Sequence, residues 1–277
     1  MKGRRILRRD FLKLAAGGTL GVVVAGVPNL LQGLVAKADA ARPAPQASGE
    51  EYEWEKHYFG FVCDSDRCIG CGRCVVACKL ENKVPWEAEY NRTWIERYVI
   101  SEDGEIFADS PNAGRDGFQA EHLNAIYQNL EVRKALFVPK LCNQCDEPPC
   151  VQVCPVGATY MTKDGVVLVD QKHCIGCRYC IQACPYGARF MLPDIGPTIH
   201  GENRVVDKCT WCYHRITKGL LPACVEACPV GARTFGDLRD PESPVRKVLR
   251  EKRVHVLKHE LGTKPKVYYV GFEDGVR

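Results

Sequence analysis

The cysteines constrain this chain more than any other feature. Seventeen occur in 277 residues, and sixteen of them fall into four quartets. The first, CIGCGRCVVAC, holds Cys68, Cys71, Cys74 and Cys78. The second, CNQCDEPPCVQVCP, holds Cys142, Cys145, Cys150 and Cys154, and the third, CIGCRYCIQACP, holds Cys174, Cys177, Cys180 and Cys184. The fourth, CTWCYHRITKGLLPACVEACP, holds Cys209, Cys212, Cys224 and Cys228, with eleven residues between its second and third members. Every quartet ends C-x3-C, and the last three end in Cys-Pro.

Three chemistries compete for such a set. Disulfides suit an oxidising compartment, but thiols two residues apart are too constrained to pair well with one another. Zinc prefers two C-x2-C pairs separated by a long loop, four ligands to a local site. The C-x2-C-x2-C-x3-C-P run is instead the pattern of a bacterial ferredoxin, in which three cysteines wrap one cubane and the fourth reaches a neighbouring cluster. Sixteen cysteines at four per cluster predict four [4Fe-4S] clusters. With about −2 for each oxidised cluster and its thiolates, the cofactors would add about −8 to the protein.

The local pattern repeats with the cysteines. Gly70 and Gly176 sit where the chain must curl closely round inorganic sulfide. VVAC, IQAC and VEAC read as a helical turn that carries the fourth cysteine away, and Pro155, Pro185 and Pro229 stop it. VGATY, YGARF and VGART follow as short strands behind a glycine. The unit is an internal repeat of cysteine loop, short helix, Cys-Pro and strand. In the first quartet Lys79 stands where the others have proline, which predicts a helix that continues.

These motifs, above all the four ordered quartets and CTWCYHRITKGLLPACVEACPVGARTFGDLRDP, resemble the four-cluster electron-transfer (beta) subunits of bacterial molybdopterin oxidoreductases. That group includes polysulfide/thiosulfate, tetrathionate and dimethyl sulfoxide reductases and the ferredoxin-like partner of nitrite reductase. The resemblance covers roughly residues 57–272. It implies an α+β fold of tandem bacterial dicluster ferredoxin-like units with inserted loops and short β-hairpins. It also implies that the first quartet pairs with the fourth and the second with the third. Cluster A then takes Cys68, Cys71, Cys74 and Cys228; cluster B takes Cys209, Cys212, Cys224 and Cys78. Cluster C takes Cys142, Cys145, Cys150 and Cys184, and cluster D takes Cys174, Cys177, Cys180 and Cys154. The implied domains are a first half from 57–79 plus 200–240, a second half over 141–199, an insertion at 80–140 and a C-terminal extension at 241–277. In such proteins the insertion meets a partner, which makes Trp86 and Trp94 contact residues if they do not pack in the core.

Residues 1–40 read as a targeting segment. Seven Lys/Arg stand against two Asp there, a net of +5 out of +4 for the whole chain, so the rest is near −1. The basic balance belongs to that segment and not to a nucleic-acid surface. An uncharged stretch, Leu14–Ala36, is long enough for a signal or a single anchor, and RRDFLK at 8–13 resembles the twin-arginine export signature. AKADA offers cleavage near Ala40, after which ARPAPQASGEE opens a linker over 41–56. The expected location is the periplasmic face of the cytoplasmic membrane, with the segment cleaved or retained as an anchor.

Elsewhere HYFGFVCD and KVYYVGF alternate as strands. Hairpins are predicted around Asp164-Gly165 and Asp103-Gly104, and a helix over the first half of 245–262. Cys63, outside the quartets, is a reactive thiol or a buried hydrophobe, and its neighbours Phe61 and Val62 favour the second. His173 and His214 lie next to ligand cysteines, and Lys172, Arg178, Lys208 and Arg215 offset cluster charge or sit on a solvated face. No Ser/His/Asp, HExxH, Rossmann or P-loop signature is present, and four thiolates leave an iron no open position. The expectation is therefore a chain that is not an enzyme by itself and relays single electrons. Its expected partners are a catalytic molybdopterin subunit and/or a multihaem cytochrome, an integral-membrane quinol-interacting subunit and the twin-arginine export machinery. The alternative is a ferredoxin-like link in a periplasmic cytochrome or sulfur-metabolism complex without molybdenum.

Overall fold

A computed structural model describes residues 52–118, 127, 130–193 and 204–271, all within one compact unit, Ser48–Arg277. Residues 1–40, expected to be a targeting segment, and the first part of the expected linker lie outside the described residues.

Residues Phe59–Asp64 form β1, buried along its whole length because both of its faces are covered. Phe59, Phe61 and Cys63 point into the main core, whereas Val62 meets a second apolar cluster with Val245 and Val270. This is the period-2 alternation of a strand. The strand is flanked antiparallel by β9 (Arg233–Asp237) and parallel by β10 (Val267–Val270), with Phe61 opposite both Phe235 and Val267. The closing segment of the chain therefore completes the sheet in which the first half-repeat begins.

The insertion builds its own sheet. β2 (Thr93–Ser101) pairs with β3 (Ile106–Asp109) through the expected turn at Asp103-Gly104, where Gly104 is left-handed. On its other side β2 pairs with β4 (Val132–Leu141), from Thr93 opposite Leu141 up to a bulge at Ile100/Ser101. Ile95, Tyr98, Ile100, Leu136, Val138 and Leu141 join the same core as Phe61 and Phe235. Two short hairpins complete the set. β5 (Thr159–Met161) pairs with β6 (Val167–Val169) around Gly165, and β7 (Arg189–Met191) pairs with β8 (Val206–Lys208).

Each cysteine loop leads into a helix. α1 spans Arg73–Asn82, α2 Pro149–Gln152, α3 Tyr179–Gln182, α4 Tyr213–Ile216 and α5 Ala223–Glu226. α2, α3 and α5 are single turns that end before Pro155, Pro185 and Pro229, since proline can neither donate to nor fit inside the next turn. α1 lacks that stop and runs three turns, to a left-handed cap at Lys83 whose N–H bonds Lys79 O. Lys79, at the place of the missing proline, is buried and its ammonium donates to the carbonyls of Pro85, Glu87 and Tyr90. α6 (Pro244–Glu251) follows an N-cap at Ser243, whose hydroxyl accepts from Arg246 N, and its Val245 packs on Val62. This is the helix expected for the first half of 245–262.

Candidate functional site

The first two cysteines of each quartet bracket a tight loop, and one backbone feature is common to all four. The residue before the second cysteine is left-handed: Gly70 at φ 67°, Gln144 at 45°, Gly176 at 68° and Trp211 at 54°. Glycine accepts this conformation freely, and other residues do so at a cost of about 1–2 kcal/mol. At Gly70 and Gly176 the crowding comes from the chain around the loop. An added Cβ would stand 2.8 Å from the Phe137 ring and 2.5 Å from Arg204 O respectively. Gln144 and Trp211 offset their strain through burial. The Gln144 amide donates to Cys209 O at 2.9 Å and accepts from Val167 N at 2.7 Å. The Trp211 indole packs against Phe61 and Phe235.

The loops bring the quartet thiols into four groups. Cys68, Cys71, Cys74 and Cys228 line one small enclosed cavity, together with Ile95, Pro139 and Arg233. Cys78 lies among Cys209, Cys212 and Cys224, whose charges, after burial, push its thiol well up. Burial together with Cys142, Cys150 and Cys184 holds Cys145 up at about 12. Cys180 feels Cys174 and Cys154 in the same way, and Cys177 completes the third loop at the surface. In three of the groups the fourth member of one quartet stands with the first three of another, and Cys154 stands in the same way with Cys174 and Cys180. The groups also feel one another electrostatically: Cys74 of the first acts on Cys224 of the second, and Cys142 of the third acts on Cys209 of the second.

Among the described residues no three His, Cys, Asp or Glu are drawn together as ligands of a single ion. A tetrahedral zinc site with Zn–S near ~2.3 Å would hold its sulfurs about 3.8 Å apart. A cubane asks each thiolate to bind a different iron, and so a wider cage.

Two further observations fit a large anionic group in these cages. The first is hydrogen bonding to sulfur. Burial pushes the Cys154 thiol up, but the backbone N–H groups of Thr159, Val156 and Ala158 outweigh it and hold it below the ordinary value. Cys228 accepts from Ala232 N at 3.2 Å, and Cys209 from Trp211 N at 3.4 Å. Asn82 reaches both Cys78 and Cys212, at 3.6 and 3.5 Å. Trp211 Nε1 and Arg233 Nη1, both buried, have no partner among the described residues. Donors of this kind match the sulfide surface of a cluster.

The second is charge. Lys208, Arg189 and Arg233 are 0, 4 and 3 % exposed, and among the described residues none pairs with a carboxylate. Buried cations need a counter-charge. Burial works against the charge of Arg233, but Cys74, Cys224, Cys63 and Cys68 outweigh it and hold its guanidinium well up. Arg189 Nη2 donates to Cys150 Sγ at 2.9 Å. Lys208 Nζ donates to Cys209 O at 2.7 Å and to Val167 O. A fourth cation, Arg92, makes a two-pronged pair with Asp207 at 2.7 and 2.8 Å and also donates to Asn82 Oδ1.

The comparisons with known proteins agree with the cages. Residues 133–238 match a family model described as a 4Fe-4S dicluster domain, and residues 67–158 match a second model of the same description. The chain is 41% identical to a tetrathionate reductase subunit of Salmonella typhimurium, over 96% of this chain and 89% of that protein. The chain belongs to the 4Fe-4S dicluster family of iron–sulfur electron-transfer subunits. It is also 33% identical to the Hdr-like menaquinol oxidoreductase iron-sulfur subunit 1 of Archaeoglobus fulgidus, over 95% of this chain and 97% of that protein. With protein NrfC of Escherichia coli it shares 39% identity over 78% of this chain and 82% of the relative. As a member of this family it is a non-catalytic ferredoxin-like subunit of an oxidoreductase complex, with a tandem ferredoxin-like α+β fold.

The remaining residues singled out in the sequence divide plainly. Cys63 is fully buried in β1, and burial pushes its thiol up to about 12. His173 is exposed and pairs with Asp170; His214 pairs with Glu81. Arg215 spans Glu81 and Glu226, and Lys172 and Arg178 are exposed, so of the four cations only Lys208 is a buried one. Trp86 is half-exposed against Arg115, and Trp94 bonds Glu96, so neither belongs to the core. Sequence reasoning missed Arg189 and Arg233. Their signal was the repeated C-P-x-G-A-R after Cys184 and Cys228, where the second quartet has Thr159. Among the described residues no helix is long and apolar enough to cross a membrane.

Proposed function

We propose that the four thiol groups hold four [4Fe-4S] clusters. Cys68, Cys71, Cys74 and Cys228 would ligate A, and Cys209, Cys212, Cys224 and Cys78 would ligate B. Cys142, Cys145, Cys150 and Cys184 would ligate C, and Cys174, Cys177, Cys180 and Cys154 would ligate D. What supports this most is that the last cysteine of each quartet, Cys78, Cys154, Cys184 and Cys228, stands beside cysteines of another quartet. When bound, each cluster supplies reversible one-electron chemistry. The chain's residues do the rest. Thiolates fix the cages, backbone and Asn82 donors steady the sulfur charge, and the apolar core excludes water from A and B.

On this reading the subunit passes single electrons between a membrane quinol or cytochrome partner and a catalytic subunit, of the molybdopterin class that the resemblance implies. Similarity to a tetrathionate reductase subunit supports a reductase complex, and similarity to a menaquinol oxidoreductase subunit supports a quinol on the other side. A second reading is a ferredoxin-like link in a periplasmic cytochrome or sulfur-metabolism membrane complex that lacks a molybdenum subunit; similarity to a menaquinol oxidoreductase subunit fits either reading. RRDFLK supports export by the twin-arginine route to the periplasmic face of the membrane. Affinity purification from membranes with identification of the co-purifying subunits tests this. A molybdopterin subunit and an integral-membrane subunit are expected. A multihaem cytochrome in place of the first would select the second reading, and the chain alone would contradict both.

A further inference from the structure

Three buried cations stand at the three junctions between thiol groups. Arg233, on β9, has Cys74 and Cys68 of the first group on one side and Cys224 of the second on the other, and its Nη2 is anchored on Thr93 Oγ1 at 2.8 Å. Lys208 Nζ donates to Cys209 O at 2.7 Å and interacts with Cys209 of the second group and with Cys142 and Cys150 of the third; burial pulls its ammonium down, and these cysteines work against that. Arg189 touches Cys150 and also faces Cys142 and Cys184 of the third group and Cys180 of the fourth, with Nη1 on Thr159 Oγ1 at 3.2 Å. Arg189 and Lys208 are direct register partners across β7 and β8. Like charges opposite each other in a hairpin repel, more so without water around them. A concentrated negative charge beside the pair would offset that repulsion. Arg92 differs from the three because Asp207 neutralises it.

Resting on the four-cluster reading, we propose that Arg233, Lys208 and Arg189 are positioning residues for electron transfer. Each raises the reduction potentials of the two clusters it separates, so that one side chain sets the level of one hop. A cluster that accepts an electron gains one negative charge, and a fixed cation stabilises that form over the oxidised one. The effect is pairwise: Arg233 acts on A and B, Lys208 on B and C, Arg189 on C and D.

Purified full-length protein and its variants are tested by EPR-monitored redox titration, with iron measured on each sample. R189Q is expected to weaken reduction of two clusters at least tenfold, about 59 mV for one electron, and to leave the other two in place. R233Q should do the same to the complementary pair, and K208M should lower one cluster from each pair. R189K and R233K, which keep the charge, should restore the native potentials, a rescue that a purely structural role would not tie to charge. Full iron with unmoved potentials, a uniform shift of all four clusters, or a shift that persists in R189K would overturn the inference. Native protein with far fewer than about sixteen iron per chain would instead overturn the four-cluster reading beneath it. If R189Q sheds iron, K208M carries the test, and potentials it leaves unmoved at full iron overturn the proposal.

Discussion

Gln144 occupies a position that the first and third quartets give to glycine, so pattern reasoning predicts that Gln144→Gly stabilises the protein. The structure predicts the opposite. Glycine would relieve left-handed strain of about 1–2 kcal/mol, less about 0.5–1 kcal/mol for the freer unfolded chain, a gain near 1 kcal/mol. Against this, Gln144 is fully buried and bonds Val167 N at 2.7 Å and Cys209 O at 2.9 Å. Cys209 O keeps the Lys208 ammonium, but the Val167 N–H is left without an acceptor, at about 1–3 kcal/mol. The vacated side-chain volume adds about 1 kcal/mol or more. The net is a loss of about 2 kcal/mol. Loss of iron–sulfur proteins on heating is irreversible, so the assay is a rate: bleaching of the visible cluster absorbance at fixed temperature. If the loss falls on the unfolding step, Gln144→Gly bleaches about thirtyfold faster. Bleaching at the native rate or slower would refute the reasoning and show that the amide bridge contributes nothing beyond what strain removes.

Three other outcomes follow from the site. Cys228→Ala should abolish the same EPR signal as Cys71→Ala, and Cys78→Ala the same signal as Cys212→Ala; matching losses within one quartet instead would refute the crossed ligand sets. Asp207→Ala strands the Arg92 guanidinium, whose side chain is only 13% exposed, at a cost of about 3–5 kcal/mol, and should speed cluster bleaching at fixed temperature in a double-mutant cycle of rates. Adding Arg92→Met should recover part of that, and strictly additive losses would deny the pair. Burial raises the Cys63 thiol to about 12, so the protonated, unreactive form prevails below that pH and thiolate becomes the major form only above it. Iodoacetamide at pH 8 should leave the native holoprotein unlabelled, whereas unfolding with chelation should expose all seventeen thiols; labelling of Cys63 in the native protein would contradict its placement.

Much of this was legible in the sequence because cysteine spacing and proline act locally. The single-turn helices before Pro155, Pro185 and Pro229, the extended α1 through Lys79, and the turns at Asp164-Gly165 and Asp103-Gly104 all follow from two or three adjacent residues. What escaped was set by distance or by burial. The parallel union of β10 with β1 joins segments some 200 residues apart and carries no local signature. β4 was unread because its pairing with β2 is decided by tertiary burial. Gln144 and Trp211 hide a glycine-like backbone behind large side chains, visible only when the four loops are aligned on their cysteines. Arg189, Arg233 and Lys208 look like surface residues by type. Their burial is matched by cysteines that the fold brings beside them from distant parts of the chain.

The central proposal is that this chain holds four one-electron centres. Coulometric reduction of the purified holoprotein, with iron and acid-labile sulfide determined on the same sample, tests it most directly. The account predicts about four electrons taken up per chain and about sixteen each of iron and sulfide. Two electrons with eight iron, or sixteen iron that accepts no electrons within the physiological range, would contradict it.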